Sequence, residues 1–246
     1  LISSVYGRNK KALILDLDNT LWGGVIGDDG LENIKIGKET ALSESYTAFQ
    51  EYIYNLKERG VLLTISSKND EQNAKEGLGH PESVLSEEDF VSIKANWEPK
   101  SQNIHEIAKE VNIGLDSLVF IDDNPSEREL IRQQINQVEV PEVGSDVTEY
   151  ITILDKSGFF EVNSLSKEDS EREKYYQSNK LREKHSSEFL DYGKYLESLE
   201  MKAEIDTFKP IYLDRITQLV NKTNQFNLTT KRYTSSEISK VHKSKK

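Results

Sequence analysis

An apolar segment that ends in two acids constrains this chain more than any other feature. The residues Ala12–Leu15 have the composition of a buried β-strand, and Asp16 and Asp18 follow with one apolar residue between them. Alternate residues of an extended chain share a face, so the two carboxylates are expected to lie close together. Like charges at that distance repel unless a metal ion or a proton lies between them. A strand followed by an Asp-Asn turn explains Asn19 and Thr20 but not the paired acids.

Composition narrows the classes of protein that the chain can belong to. Its 246 residues are enough for one full α/β domain and a smaller unit. The formal net charge of -11 argues against a nucleic-acid partner, and the apolar runs are too short for a membrane span. We therefore expect a soluble, cytoplasmic protein. Because the sequence begins at Leu1 rather than Met and ends in a charged tail, we also expect it to be a fragment of a longer protein. Without cysteine, its chemistry depends on oxygen and nitrogen groups.

Short apolar runs alternate with helical patterns along the first half of the chain. Strands are predicted at Ala12–Leu15, Val61–Ile65 and Ser117–Ile121, and amphipathic helices at Ser43–Arg59 and Ser101–Val111. This order predicts an α/β fold, a Rossmann-like parallel sheet with helices on both faces. In such sheets, ligands bind beyond the carboxyl ends of the strands.

Polar residues follow each predicted strand at that end. The first strand runs into Asp16 and Asp18, the second into Ser66–Asp70 and the third into Asp122–Pro125, while Lys100 stands at the start of a helix. Taken singly, such residues more often cap helices, form loops or lie in solvent. Together, at neighbouring strand ends, they predict one shared site.

These motifs resemble those of the haloacid dehalogenase superfamily, whose members are mostly phosphatases, and more narrowly its FkbH-like branch. The resemblance extends from about Lys10 to Ile238 and implies a Rossmann-like core with a minimal cap. The segments that carry it are Asp16–Gly27, Ser67–Asn69, Asn96–Ser101, Val119–Pro125 and Lys222–Thr230.

The resemblance implies a role for each acid and for the lysine. Asp16 is expected to be the nucleophile, Asp18 the general acid and then the general base, and Lys100 a partner of both the phosphate and the nucleophile. A Mg²⁺ ion is expected on Asp16, on the backbone carbonyl of Asp18 and on one acid of the next pair, with Asp123 preferred over Asp122.

The same resemblance places the substrate phosphate at the end of the second strand. Ser67 is the expected donor to a phosphate oxygen, with Ser66 as the alternative if the strand ends one residue earlier, and Asn69 is included among the phosphate-binding residues.

The connections between the strands are too short to hold a large cap domain, so the site is expected to be open. The glycine-rich segment Trp22–Gly37 is expected to form a tight hairpin flap with Trp22 as its hydrophobic anchor. Its glycines either contact the substrate or serve only the turn geometry.

Three segments are predicted along the chain. Residues 1–155 form the phosphoryl-transfer core, residues 156–200 a helical connector, and residues 201–246 a small α+β extension. The connector contains a mixed-charge helical stretch at Lys167–His185. The extension resembles the opening of an acetyltransferase-type fold.

Within that extension, Met201–Phe208 alternates like a strand and Pro210–Asn221 has the spacing of a helix. The polar run Asn221–Asn227 is either a binding loop or a turn.

Two functions agree with these observations. The first is a Mg²⁺-dependent phosphohydrolase or phosphotransferase that acts on a small phosphorylated metabolite through an aspartyl-phosphate. The alternative, implied by the FkbH-like resemblance, is a transferase that takes a glyceryl unit from a phosphoglycerate donor and loads it onto an acyl carrier protein. A catalytically silent docking domain is disfavoured, because every expected catalytic position is filled.

Overall fold

The structure is a computed structural model that describes residues 9–161, 191–222 and 231–244. The chain divides into two compact units: the first comprises residues 9–183, and the second comprises residues 184–246 together with residues 1–8. The mixed-charge stretch 167–185 lies outside the described residues, so the domain boundaries at 155 and 200 stay predictions. No helix in the described ranges combines the length and the apolar composition that crossing a membrane requires.

A four-stranded parallel sheet forms the centre of the first unit. Its strands are β1 (Ala12–Leu15), β2 (Leu62–Ser67), β3 (Phe90–Ala95) and β4 (Leu118–Ile121), in the order β3-β2-β1-β4. In β1, Leu15 pairs with a residue of β2 on one side and of β4 on the other, so the carboxyl ends of these strands lie at one edge. The predicted α/β parallel sheet is confirmed, although β3 was not among the predicted strands.

Helices connect the strands and extend beyond them. The α-helices of the first unit are α1 (Ile26–Asp29), α2 (Ala41–Glu58), α3 (Glu71–Leu78), α4 (Lys100–Glu110), α5 (Pro125–Gln134) and α6 (Tyr150–Ser157). Those of the second unit are α7 (Tyr192–Ser198), α8 (Leu213–Lys222) and α9 (Ser235–Lys243). The two helices predicted between the strands, now α2 and α4, are present within two residues of their predicted bounds.

The two faces of the sheet carry separate apolar clusters. Leu13 and Leu15 of β1 belong to one cluster with residues of α2 and α6, whereas Ala12 and Ile14 belong to the other with residues of α4 and α5. Strands covered on both faces are apolar at every position, which is why these runs do not alternate. The predicted placement of helices on both faces is confirmed.

The glycine-rich segment after β1 differs from the predicted hairpin. The backbones of Gly23 and Lys35 form two hydrogen bonds with each other, as in a hairpin. The chain between them, however, contains the helical turn α1 rather than two strands. Trp22 is completely buried and anchors the segment, as predicted. It packs so closely on Gly77 of α3 that a Cβ atom there would lie 2.5 Å from the indole ring.

In the second unit, the predicted strand Met201–Phe208 is wrong. These residues have no regular structure, and their side chains are exposed. A strand is stable only when it is paired, and no other segment of the described residues pairs with this one. The predicted helix is present as a 3-10 turn, Pro210–Tyr212, followed by α8. At its end, the Asn221 side chain pairs with the backbone of Tyr233. The remainder of the polar run, residues 223–227, lies outside the described residues.

Candidate active site

A polar pocket of about 190 Å³ lies at the carboxyl ends of β1, β2 and β4. The parallel register brings the three strand ends to one edge, so each contributes residues to the pocket. Its lining residues are Asp16, Asp18, Asn19, Ser67, Lys68, Lys100, Asp122, Asp123, Asn124 and Glu127. The structure therefore brings together most of the residues that the sequence placed in one site.

The lysine at the start of α4 lies between the first acids of two strand ends. Nζ of Lys100 is 2.9 Å from Oδ1 of Asp16 and 2.5 Å from Oδ2 of Asp122. All three residues are buried, and only 3% of the Lys100 side chain is exposed. A buried charge needs a partner of opposite sign, and one ammonium here serves two carboxylates.

The pKa values in this cluster are set by burial and by charge, which act in opposite directions. Burial lowers the pKa of Lys100, but the charges of Asp16 and Asp122 outweigh it, so the pKa lies above its ordinary value. Burial raises the pKa of Asp122 above the ordinary aspartate value, although Lys100 opposes this. Lys100 therefore stays a cation at neutral pH.

Asp18 is held by neutral donors instead of a lysine. Its Oδ1 accepts hydrogen bonds from the indole N–H of Trp22 at 2.9 Å and from the backbone N–H of Ile26 at 3.1 Å. Its Oδ2 accepts one from Nδ2 of Asn69 at 2.9 Å. Burial still raises the pKa of Asp18, because it outweighs these donors and the charge of Asp16 acts in the same direction. A fixed carboxyl group with a raised pKa is suited to proton transfer.

Three acids at this edge offer a set of oxygen ligands. One carboxylate oxygen from each of Asp16, Asp122 and Asp123 lies within 4.8 Å of the others. Oδ1 of Asp16 is buried and makes no well-aligned hydrogen bond, although Lys100 lies nearby. Carboxylate oxygens are the ligands that Mg²⁺ prefers, so these residues fit that ion.

The two adjacent acids after β4 differ in how free they are to bind an ion. Asp122 is fully buried, and its oxygens are occupied by Lys100 and by the backbone N–H of Asn124 at 2.8 Å. Asp123 is half-buried, and its backbone N–H donates to Oγ1 of Thr20 at 3.2 Å. Burial raises the pKa of Asp123, and the charge of Asp16 adds to this effect.

The residues predicted to bind phosphate lie in three different environments. Ser67, the last residue of β2, lines the pocket. Ser66 is fully buried, its hydroxyl has no hydrogen-bond partner among the described residues, and it is not part of the lining. Asn69 is also outside the lining, since its amide nitrogen donates to Asp18 and its oxygen accepts from the backbone of Asp70. Its contacts are those of a residue that orients Asp18.

Sequence patterns did not single out Glu127 and Arg128. Glu127 lines the pocket, and Arg128 contacts the backbone behind the acids. Lys68 lies in the segment Ser67–Asn69, but no role was predicted for it; it lines the pocket and forms an ion pair with Glu127 at 2.6 Å. Charged residues in a loop or a charged helix usually lie in solvent, and the nearby motif Asp122–Pro125 was the one signal for Glu127 and Arg128.

A solved structure resembles this chain over 66% of its length. It is the crystal structure of the N-terminal part of the protein BF1531 from Bacteroides fragilis, which contains a phosphatase domain complexed with Mg. The two chains are 46% identical with a TM-score of 0.65, over 66% of this chain and 44% of that one. The present chain thus spans less than half of the structure that it matches. No protein-family model matches it, and a search of curated proteins also finds no match.

Proposed function

We propose that the chain is a Mg²⁺-dependent phosphohydrolase of the haloacid dehalogenase superfamily that acts on a small phosphorylated metabolite through Asp16. The observation that carries the proposal is the pocket in which Asp16 lies beside a buried lysine, next to two further acids and to Asp18. The similarity to a phosphatase domain crystallised with Mg supports it.

In the first step, a carboxylate oxygen of Asp16 attacks phosphorus and the bond from phosphorus to the leaving oxygen breaks. Asp18 donates its proton to that oxygen, a role that its raised pKa and its hydrogen-bonded position suit. Lys100 and the hydroxyl of Ser67 bind the oxygens of the transferred group. A bound Mg²⁺ ion on Asp16 and Asp123 supplies further charge neutralisation.

In the second step, water attacks the phosphorus of the aspartyl-phosphate. Asp18, now a carboxylate, takes a proton from that water, and the bond between phosphorus and Asp16 breaks. Inorganic phosphate leaves, and Asp16 and Asp18 return to their starting protonation states. One acid thus serves both steps, because the first step leaves it deprotonated for the second.

Phosphate release on a panel of phosphoglycerates and sugar phosphates tests this proposal. We expect release that saturates with millimolar Mg²⁺ and stops in EDTA, with the Asp16→Asn variant as the blank for contaminating phosphatases. The substrate with the highest kcat/KM identifies the class of metabolite. Equal release in EDTA, or from the Asp16→Asn variant, would contradict the proposal.

The openness of the pocket favours a second candidate function. In the described residues, the segment between β2 and α4 contains only α3, a 3-10 turn and β3, so no cap domain covers the site there. An open site suits a glyceryl donor and an acyl carrier protein, the FkbH-type transfer. Loading of a carrier protein with radiolabelled glycerate from a phosphoglycerate donor tests this activity, and phosphate release without loading would reject it.

A further inference from the structure

Arg128 lies behind the two acids that follow β4. It is a residue of α5, it is 2% exposed, and its Nη1 donates to two consecutive backbone carbonyls. These are the carbonyls of Asp122, at 2.8 Å, and of Asp123, at 2.7 Å. These two carbonyls belong to the peptide planes on either side of the Asp123 Cα, so the two hydrogen bonds fix both planes and hence the direction in which the Asp123 side chain leaves the backbone.

The guanidinium is held in turn from its other end. Nη2 of Arg128 forms an ion pair with Glu142, and the second oxygen of Glu142 accepts from Nη2 of Arg132 at 2.8 Å. Arg132 also binds the carbonyl of Val140. The fork geometry of arginine thus joins the acids to the segment near residue 142, which a lysine could not do with one ammonium.

Charge is a second reason for an arginine at this place. Asp16, Asp18, Asp122 and Asp123 put four carboxyl groups around one pocket, and Lys100 is the cation that contacts two of them. Arg128 brings a second buried cation close to the acids without occupying a carboxylate oxygen of either Asp122 or Asp123. It therefore leaves the carboxylate of Asp123 for a ligand, whereas the oxygens of Asp122 are taken by Lys100 and by the backbone N–H of Asn124.

We propose that Arg128 is a positioning residue for the metal site: it holds the Asp122–Asp123 backbone so that Asp123 presents its carboxylate to the ion. This rests on the proposed function, since it assumes that Mg²⁺ binds at these acids. A purely structural role would lower stability when Arg128 is replaced but would leave the affinity of the folded protein for Mg²⁺ unchanged. The two roles therefore differ in metal affinity.

The experiment measures Mg²⁺ binding to the full chain by titration calorimetry, well below the melting temperature of each variant. We expect Arg128→Met and Arg128→Lys to bind Mg²⁺ about 10- to 100-fold more weakly than wild type, as for other residues that orient metal ligands. Arg132→Met is the matched control, because Arg132 lies on the same helix and binds the same Glu142 but is not hydrogen-bonded to either acid. Its affinity should stay within a few-fold of wild type.

Unchanged Mg²⁺ affinity in folded Arg128→Lys would overturn the inference, and so would an equal loss in Arg132→Met. If Arg128→Met does not fold, Arg128→Lys and Glu142→Gln provide the same comparison, with Glu142→Gln expected between wild type and Arg128→Lys. A wild-type chain that binds no Mg²⁺ would overturn both this inference and the proposed function. Wild-type binding without phosphate release would reject the proposed function alone, because the calorimetric comparison would still decide the role of Arg128.

Discussion

The ends of β1 and β4 each carry two acids, and at each end the two acids lie in different environments. The first acid of each end, Asp16 or Asp122, is buried and lies within 3 Å of Lys100. The second acid, Asp18 or Asp123, is half-buried and has no lysine among its hydrogen-bond partners in residues 9–161. The same residue type therefore occurs in two electrostatic environments at each strand end.

The second acids differ from each other in what is held in place. The carboxylate of Asp18 is held directly, by Trp22 and by Asn69, so its position is fixed. Asp123 is held through its main chain, by Thr20 and by Arg128. A fixed carboxyl group suits proton transfer, and a side chain left for the pocket suits an ion. This difference supports the proposed roles, in which Asp18 is the acid–base residue and Asp123 is a metal ligand.

Replacing Asp16 tests the buried acid of β1. Asp16→Asn keeps the shape of the side chain but removes the proposed nucleophile, so we expect phosphate release to fall by at least about 10³-fold. Asp28→Asn, in the exposed turn α1, is the control and should keep wild-type activity. Circular dichroism checks the fold, and loss of the fold in Asp16→Asn would make the paired acids structural.

Replacing Asp18 tests the acid that neutral donors hold. We expect Asp18→Asn to lose about 10²- to 10⁴-fold in turnover of alkyl phosphates, whose leaving oxygen needs a proton. An aryl phosphate with a good leaving group should still give a burst of one equivalent, followed by slow hydrolysis, because only the second step then needs Asp18. Stopped-flow release of the phenol measures the burst. Equal losses on both substrates without a burst would contradict the assignment.

Replacing Lys100 tests the cation that the two strand ends share. Lys100→Met leaves two buried carboxylates without their partner, so we expect a loss of about 3–5 kcal/mol in the free energy of unfolding in urea. Lys75→Met removes an exposed lysine that pairs with Glu71 one helical turn away, and should change stability little. Equal effects of the two replacements would show that the buried cluster is not stabilised by its lysine.

The pH dependence of the free energy of unfolding tests the three acids whose pKa values are raised by burial. Burial raises the pKa of Asp18, Asp122 and Asp123 in the folded chain. The resulting stabilisation is present below about pH 4, the ordinary aspartate pKa, and is lost as the pH rises through the raised pKa values, of which that of Asp122 is about 6. We expect urea unfolding in EDTA to show falling stability from pH 5 to pH 7.5, with Mg²⁺ restoring it at pH 7.5. Rising stability over that range without metal would contradict the pKa directions.

The fold was predictable where burial alone determines the sequence pattern. β1 and β4 are covered on both faces and are uninterrupted apolar runs, and the predicted part of β2 is interrupted only by Thr64. β3 was missed because it is an edge strand in which Ser92 and Lys94 break the run, and their side chains bind Glu110 of α4. The strand at Met201–Phe208 was predicted from alternation, a pattern that gives no information on whether a partner strand is present.

The site was predictable as a set of residues but not as a set of contacts. Asp16 and Asp18 at a strand end, and Lys100 at the start of a helix beside that edge, were predicted to share one location, and all three line the pocket. The placement of Asn69 on Asp18 instead of in the pocket depends on how the loop after β2 turns, which the sequence does not specify. Arg128 acts on backbone carbonyls, and every residue has one, so no pattern of side chains could identify its partners.

The most direct test of the account is to look for the covalent bond between phosphorus and Asp16. Wild-type protein with Mg²⁺ and its best substrate is quenched in acid within milliseconds, and its peptides are analysed by mass spectrometry. We predict the mass of one added phosphoryl group on the peptide that contains Asp16, removed by hydroxylamine, and a larger amount of this adduct in Asp18→Asn when an aryl phosphate with a good leaving group is the substrate. Steady phosphate release with no such adduct in either protein, or an adduct on another residue, would contradict the assignment of Asp16 as the nucleophile.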